Sequence, residues 1–308
     1  MRILDQALKH ERYFEALTGL RIKEFQRLVE EVKEDWMRTR IERLTNRERK
    51  KRIGQGRKET FPTCEEQLFI FLFWARTYPT YLFMEIILGS DTVVLHRLIH
   101  RMAPLLAKRL MLPERIGRRR IRNMDELKKA FPEIYEVIVD ATEQRIERPK
   151  DKRKNKKYRS GKKKAHTLKT QIITDVKSDR ILHVSDTVEG KRHDFKLFQD
   201  TVTSTAKDGG IKILADSGYQ GIKKKFPNLS VVTTIKRFRG VLKLTKKQKR
   251  HNRELSKVRV RVEHALGKMK QFKVLAQVYR HATKAYNTFF RATAGIINLR
   301  ISMRAQVA

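Results

Sequence analysis

The sequence predicts an α/β protein: a mixed sheet flanked by helices, preceded by an all-helical region with a helix-turn-helix layout. Three observations predict it. Residues up to about 107 carry apolar positions at helical spacing, separated by helix stop and start signals. Beyond about 130 the text changes to β-branched runs, the clearest of them two runs joined by a tight turn. Those runs then alternate with helical stretches, the order expected of a mixed-sheet α/β domain.

Composition sets the frame for these elements. The chain has 308 residues with 72 Lys+Arg against 34 Asp+Glu, a formal net charge of +38. Length alone allows one large or two ordinary domains, and 40% hydrophobic residues exclude a disordered basic tail. A charge excess of this size repels itself unless it meets a polyanion. Nucleic acid is the expected partner, because neutralised phosphates release counterions. Ribosomal and membrane-surface proteins are usually smaller, or gather their charge on one amphipathic helix. Cys64 is the only cysteine, so an intrachain disulfide framework and a thiolate zinc site are both excluded. The start, MRILDQALKHERYFEAL, lacks the apolar run of a signal peptide. QLFIFLFWARTYPTYLFMEIIL is interrupted by Arg76 and Pro79 and is not read as a membrane span. The expectation is a soluble cytoplasmic protein.

In chain order, RIKEFQRLVEEVKEDW is helical, and RERKKRIGQGRKET is a glycine-containing basic loop. Thr63 with Glu66 three residues on forms a capping box for CEEQLFIFLFWART. Pro79 breaks that helix, TYLFMEIIL forms a short second one, and Gly89-Ser90 make a turn. Ser90 is expected to cap a third helix, DTVVLHRLIHRMAPLLA, whose exposed face carries His96, Arg97, His100 and Arg101. A short helix, a glycine turn and a capped basic helix are the layout of a helix-turn-helix, which plain three-helix domains share. His96 and His100 stand four apart, but no third metal ligand is near in sequence, so they read as solvated or phosphate-facing. GRRRIRN (117–123) is a basic connection.

After it, YEVIVDATE is a β-branched run ending in acids, and AHTLKTQIITDVKSDRILHVSDTVEG reads as a β-hairpin about DVKSD. HDFKLFQDTVTS is helical, KILADSGY and VVTTIKRF are strands, residues 255–272 are a helix, VLAQVYR is a strand and AYNTFFRATAGIINLRISMR is a closing helix. The cationic run DKRKNKKYRSGKKKAH, containing Tyr158, is placed on a strand or loop.

Three acids carry the chemistry. Asp140 ends VIVD, Asp216 ends KILAD, and both are expected to leave a strand at its carboxyl end; Glu263 lies on the later helix. If adjacent strands carry the aspartates and the helix packs beside them, the three carboxylates converge. Gathered carboxylates repel one another unless a cation neutralises them. Hard oxygen ligands suit Mg²⁺ or Mn²⁺, and two such ions could clamp an in-line phosphoryl displacement. Taken singly, each acid is more often a turn-former or a helix cap, and Asp216-Ser217-Gly218 also reads as such a turn. On a helical wheel Val258, Val262, Leu266 and Met269 form an apolar face, with Arg259, Glu263 and Lys270 along its border. Gly267, one turn beyond Glu263, leaves open space beside that carboxylate. An ordinary Arg–Glu helix pair explains the spacing of Arg259 and Glu263, but not why Gly267 and Lys270 share their edge.

VIVDATEQRIERP, YRSGKKKAHTLKTQ, KRHDFKLF, ADSGYQGI and RVRVEHALGKMK, in this order, resemble successive blocks of insertion-sequence DDE transposases with a Harbinger-like DDE superfamily endonuclease domain. The resemblance covers most of the chain. It implies an RNase H-like sheet and a DDE triad of Asp140, Asp216 and Glu263, which would serve as both catalytic groups and metal ligands. It also implies an enzyme that cuts element ends and joins them to target DNA. The third block often reads Tyr-x2-Arg-x3-Glu-x6-Lys; Arg259, Glu263 and Lys270 match it, and Ser256 stands at the tyrosine position. The implied partners are double-stranded DNA, as terminal inverted repeats and target, and further copies of the chain on that DNA. The implied cofactor is a pair of Mg²⁺ or Mn²⁺ ions, and the expected localisation is the nucleoid. Expected DNA contacts are Arg97, Arg101, Lys162, Lys163, Lys164, Arg259 and Lys270. Asp194 reads first as a cap for the helix that follows it, and His193 and Asp194 second as groups backing the metal site. The expected division is 1–62 as an N-terminal helical and basic region, 63–122 as the helix-turn-helix-like DNA-binding domain with its basic linker, and 123–308 as the catalytic domain. The competing readings are a metal-dependent DNA endonuclease that does not transpose and a non-catalytic DNA-binding regulator.

Overall fold

The computed structural model describes residues 2–45, 58–110, 115–116, 119–120, 124–201, 210–237 and 243–305. The basic loop over 46–57 and most of the basic connection at 117–123 lie outside the described residues. The chain divides into two compact units. One comprises Met1–Met111, Met269–Gln277 and Thr288–Ala308, the other Leu112–Lys268 and Val278–Asn287.

The first unit opens with α1 (Arg2–Leu8), α2 (Glu11–Thr18) and α3 (Ile22–Thr45), followed by α4 (Cys64–Thr77), α5 (Tyr81–Leu88) and α6 (Thr92–Leu110). Its centre is α4, in which every residue from Gln67 to Ala75 is buried. Such a helix needs firm ends. Its start is the capping box read from sequence: Glu66 N–H donates to Thr63 Oγ1 at 3.1 Å, and Thr63 N–H donates to Glu66 Oε2 at 3.2 Å. Buried Gln67 is satisfied as well, accepting from Trp36 Nε1 at 3.1 Å and donating to the Phe61 carbonyl at 2.9 Å.

Two details of α6 differ from expectation. Its first turn is capped by Asp91, whose Oδ1 accepts from Val93 N–H at 2.7 Å, and not by Ser90, which is buried. His100 and Arg101 are half-buried while His96 and Arg97 are exposed. The cause is packing: α6 lies against α3, α4 and α5, so its covered stripe is wider than one apolar face.

The second unit begins with a two-residue antiparallel ladder, β1 (Arg115–Ile116) and β2 (Arg119–Arg120), and α7 (Met124–Ala130). Its elements then run β3 (Glu136–Arg145), α8 (Lys152–Tyr158), β4 (Arg159–Ser160), β5 (Ala165–Asp175), β6 (Ile181–Val184), β7 (Val188–Glu189) and α9 (Asp194–Thr201). After these come β8 (Lys212–Ala215), α10 (Ile222–Lys225), β9 (Val231–Thr233) and the long helix α11 (Lys246–Lys270); the closing helix α12 (Thr283–Ala305) starts in this unit and belongs to the first from Thr288 on. The sheet order is β4-β5-β3-β8-β9, with β6 and β7 also paired to β5. β3 pairs antiparallel with β5 and parallel with β8, and β8 parallel with β9, so the sheet is mixed. β5 is buried from Thr167 to Asp175. One face packs Val137, Val139, Ile173, Leu182, Phe198, Ile213 and Tyr219 into a core. The mixed α/β class with a helical N-terminal region is therefore as predicted, and so is the hairpin of β5 and β6 about residues 176–180. Among the described residues no helix is long and apolar enough to cross a membrane.

Three local expectations give way. The cationic run does not form a strand or loop throughout; Lys152–Tyr158 is helical, started by Asp151, whose Oδ1 accepts from Lys154 N–H at 2.7 Å. VLAQVYR is not a strand. Its first two residues lie in a short 3₁₀ turn at Lys273–Leu275, and Tyr279 makes a single bridge to Ile146. Finally, α11 starts nine residues before the predicted Leu255, at a reciprocal cap in which Gln248 N–H donates to Thr245 Oγ1 and Thr245 N–H to Gln248 Oε1.

Candidate active site

Successive side chains of a strand point to opposite faces. In β3, Val137 and Val139 enter the core, so Ile138 and Asp140 face the other way. The parallel ladder with β8 pairs Ile138 with Leu214 and Val139 with Ala215. Asp140 and Asp216 stand one step beyond the last pair, and by alternation both share the face of Ile138 and Leu214. Asp216 keeps an extended backbone (φ −80°, ψ 179°) and then caps the turn Ser217–Tyr219, its Oδ1 accepting from Gly218 N–H at 2.8 Å. Strand-end acid and turn cap are here one residue.

Asp140 departs from prediction in one respect: it does not end its strand. β3 continues five residues further, because its other edge stays paired with β5 to Arg145. Only the parallel pairing stops at Asp140. Burial pushes its carboxyl up to about 6, against opposing help from the Ala141 N–H and Arg259, with Asp216 adding repulsion and Lys162 relieving it.

The helix that brings Arg259 is fixed at both ends of its crossing. His251 Nε2 lies 3.2 Å from the Thr233 carbonyl, and the Asn252 side chain bonds the Ile235 N–H and carbonyl at 2.8 and 2.9 Å. Further along, Arg261 donates to Asp179 Oδ1 at 3.1 Å in the β5–β6 turn. Between these anchors the Arg259 guanidinium comes within 4.0 Å of Asp140, with both side chains largely buried. Glu263, one turn on, is exposed. Among the described residues no three His, Cys, Asp or Glu side chains converge closely enough to hold a metal. The two aspartates share one face of the sheet and repel each other, and Glu263 does not complete a group of three with them in this arrangement. A β-carbon at Gly267 would touch nothing within 4 Å, so the space expected beside Glu263 is there.

This constellation is matched by sequence comparison. The model of the DDE superfamily endonuclease fits residues 139–298, which open one residue before Asp140 and contain Asp216 and Glu263. The chain belongs to the DDE superfamily transposases of insertion sequences. The transposase is 32% identical over 297 residues to the probable transposase for insertion sequence element IS702 of Microchaete diplosiphon, covering 96% of each chain. It is 24% identical over 223 residues to the putative transposase for insertion sequence element IS112 of Streptomyces albus G, covering 72% of this chain and 75% of that one. No solved structure matches it.

Sequence reasoning missed a buried charge network in the transposase. Glu143 and Lys169 are register partners on β3 and β5. Lys169 Nζ reaches Asp194 Oδ1 at 2.8 Å, Glu143 Oε1 at 3.6 Å and the Arg192 carbonyl at 2.6 Å, and Thr167 Oγ1 donates to Glu143 Oε2 at 2.8 Å. Asp194 is thus not the cap of α9. That place belongs to His193, whose Nδ1 accepts from Phe195 N–H at 3.3 Å, while Asp194 Oδ2 lies near Gly218 of the Asp216 turn. A β-carbon at Gly218 would lie 2.9 Å from Asp216 Oδ1 and 3.1 Å from Asp194 Oδ2. Tyr219 is fully buried and donates to Gln171 Oε1 at 3.3 Å; burial first, then Asp194, Asp140 and Asp216, hold its phenol well above the usual range. The available signal was a charged residue inside each of two strands, at Glu143 and Lys169.

The remaining predicted cations are on the surface. Lys162, Lys163 and Lys164 are exposed in the β4–β5 loop, and α8 exposes Lys152, Arg153, Lys154, Lys156 and Lys157. Lys270 and Ser256 are exposed on α11.

DDE superfamily domains generally use divalent metal ions. The donor set fits that use in part. Asp140 and Asp216 offer hard carboxylate oxygens on one face of the sheet, and the raised pKa of Asp140 marks a carboxylate held out of water, a cost that a bound cation would offset. The third carboxylate would have to come from Glu263 by a change at the exposed edge of α11.

Proposed function

We propose that this transposase cuts its element's ends and joins them to target DNA, using two Mg²⁺ or Mn²⁺ ions held by Asp140, Asp216 and Glu263. The observation that carries the reading is the pair of aspartates at matched positions on adjacent parallel strands, with Arg259 brought to them by α11. Metal bound there would activate the attacking oxygen and neutralise the leaving one. The chain's own groups do the rest. Arg259 and Lys162, already in the field of Asp140, are placed to take a phosphodiester's charge once the carboxylates are occupied. Water attacks phosphorus and releases a 3′-hydroxyl; that hydroxyl then attacks a target phosphodiester, so one bond breaks as another forms. Lys163, Lys164, Lys270 and the cations of α8 bind the DNA backbone, and Lys169 with His193 and Asp194 hold the Asp216 turn in place.

The same reading assigns 123–308 to an RNase H-like catalytic domain and α5, the Gly89 turn and α6 (within 63–122) to a helix-turn-helix, with 1–62 as a further basic region. It also assumes oligomers on the DNA and residence at the nucleoid. The deciding experiment incubates the full chain with an element-end duplex, target DNA and Mg²⁺. Joined products support the reading, nicked products alone indicate a non-transposing endonuclease, and bound but uncut DNA indicates a regulator. Duplex binding should weaken tenfold or more between about 50 and 200 mM salt; a flat response would count against an electrostatic DNA groove.

A further inference from the structure

The helical unit contains a cleft of about 670 Å³ beside the first turns of α6, lined among others by Arg43, Lys58, Arg97, Arg101 and Ser90. Four cations face two acids there, and both acids are already engaged. Asp91 caps α6, and Glu59 pairs with Arg40 at 3.0 Å and Arg43 at 2.5 Å. Arg101 sits half-buried close enough to Arg43 that, after burial itself, the like charge weakens its hold on its proton, with Glu59 opposing this. Ser90 is 6% exposed and its Oγ has no hydrogen-bond partner among the described residues. A buried hydroxyl without a partner costs stability, and converging guanidinium groups repel. One ligand removes both costs: an anion with acceptor oxygens. Exposed Val93 and Val94 form an apolar rim on the same cleft.

We infer that this cleft seats one backbone phosphate of bound DNA, between Ser90 Oγ and the guanidinium groups of Arg43, Arg97 and Arg101, with the attached sugar against Val93 and Val94. The inference rests on the DNA reading above and deepens it by giving Arg101 one role among DNA contacts. Arg101 is an anchor that fixes the protein on the duplex, not a reader of base edges, because a phosphate is the same at every sequence.

Ser90→Ala separates this from a structural role. The hydroxyl bonds nothing among the described residues, so its removal should leave the melting temperature unchanged or slightly higher. Binding of the full chain to duplex DNA should fall roughly tenfold, the size of one hydrogen bond to a charged group. The loss should be equal for an element-end duplex and an unrelated one. Arg101→Gln should weaken both duplexes alike and reduce the slope of log affinity against log salt by about one. Wild-type affinity in both variants, or a loss confined to the element end, overturns the inference. A second arm needs no DNA: inorganic phosphate should raise the melting temperature of the wild type more than that of Ser90→Ala, and equal shifts overturn the cleft as an anion site. A wild type that responds to phosphate yet binds no duplex would fail the DNA reading while leaving the anion site standing, and would overturn its assignment to a DNA phosphate.

Discussion

Asp140 and Asp216 differ from Glu263 in what fixes them. The aspartates are held by a parallel ladder whose last pairs are Ile138–Leu214 and Val139–Ala215, and both are partly or largely covered. Glu263 rides on the edge of a helix that is anchored at Asn252 and at Arg261 but is exposed at the carboxylate itself. Strand register places a side chain to within a fraction of a residue, since a one-residue slip would turn it to the opposite face. A helix leaves rotation and long rotamers free. The difference teaches that the two aspartates are built into the sheet, whereas the part proposed for Glu263 depends on a rearrangement at the exposed edge of α11.

The largest expected effect tests that division. Asp140→Asn and Asp216→Asn should each reduce Mg²⁺-dependent nicking of an element-end duplex by at least about a hundredfold, because each removes charge that holds the metals. Glu263→Gln should do the same if α11 completes the site in the working complex. Cleavage and joining should fall together, with DNA binding kept. Near-normal nicking by Glu263→Gln would reduce the site to the sheet-borne pair and remove the helix from the chemistry.

The next effect concerns pH and the metal-free protein. Asp140 is held near 6 in the folded state against an ordinary 3.8, mainly by burial. The folded state therefore binds this proton more tightly than the unfolded state does. Its stabilising contribution is complete below about pH 4, is lost as pH rises to about 6, and is flat above. The shift corresponds to about 2–3 kcal/mol. In chelator, Asp140→Asn should gain stability over the wild type by up to that amount between pH 4 and 7, read from paired denaturant melts. Glu263→Gln, at an exposed position, should show no such gain. Mg²⁺ at pH 7 should then raise the melting temperature of the wild type more than that of Asp140→Asn. A parallel pH response in wild type and Asp140→Asn would mean that Arg259 and Lys162 already neutralise the carboxylate.

How much of this was legible in sequence follows from range. The capping box at Thr63 and Glu66, the hairpin about DVKSD and the acids after VIV and KILA are local signals, and the structure carries each of them. The start of α11 was equally local, since Thr245 and Gln248 spell the same box, but the cationic text around them carries no apolar periodicity until further along the helix. The charge network was legible only as two lone charges inside strands, at Glu143 and Lys169, and not as a meeting. Lys169 meets Glu143 because two strands align in one register, and it meets Asp194 because α9 begins at that edge. No spacing along the chain encodes either meeting. Ser90 failed for a related reason: Ser90 and Asp91 are both good caps, and the choice between them depends on where the turn after Gly89 aims the backbone. VLAQVYR has strand composition, yet only Tyr279 finds a strand edge to bridge.

The smallest effects come from one substitution made beside each kind of carboxylate. Gly218→Ala places a β-carbon 2.9 Å from Asp216 Oδ1 and 3.1 Å from Asp194 Oδ2, so the Asp216 carboxylate must move by a few tenths of an ångström. The backbone at Gly218 is not left-handed, so alanine fits the chain and the fold should persist. Nicking should fall about tenfold, since displacement of a reacting group by even part of an ångström is costly. Gly267→Ala meets open space one turn beyond Glu263. It replaces glycine inside an exposed helix, which should stabilise the protein by about 0.5–1 kcal/mol and leave nicking unchanged. A melt and a nicking assay on each variant complete the comparison. Loss of nicking in Gly267→Ala without loss of stability would show that substrate or metal occupies the space beside Glu263 during the reaction. That outcome would place the helix-borne carboxylate in as tight a setting as the two in the sheet.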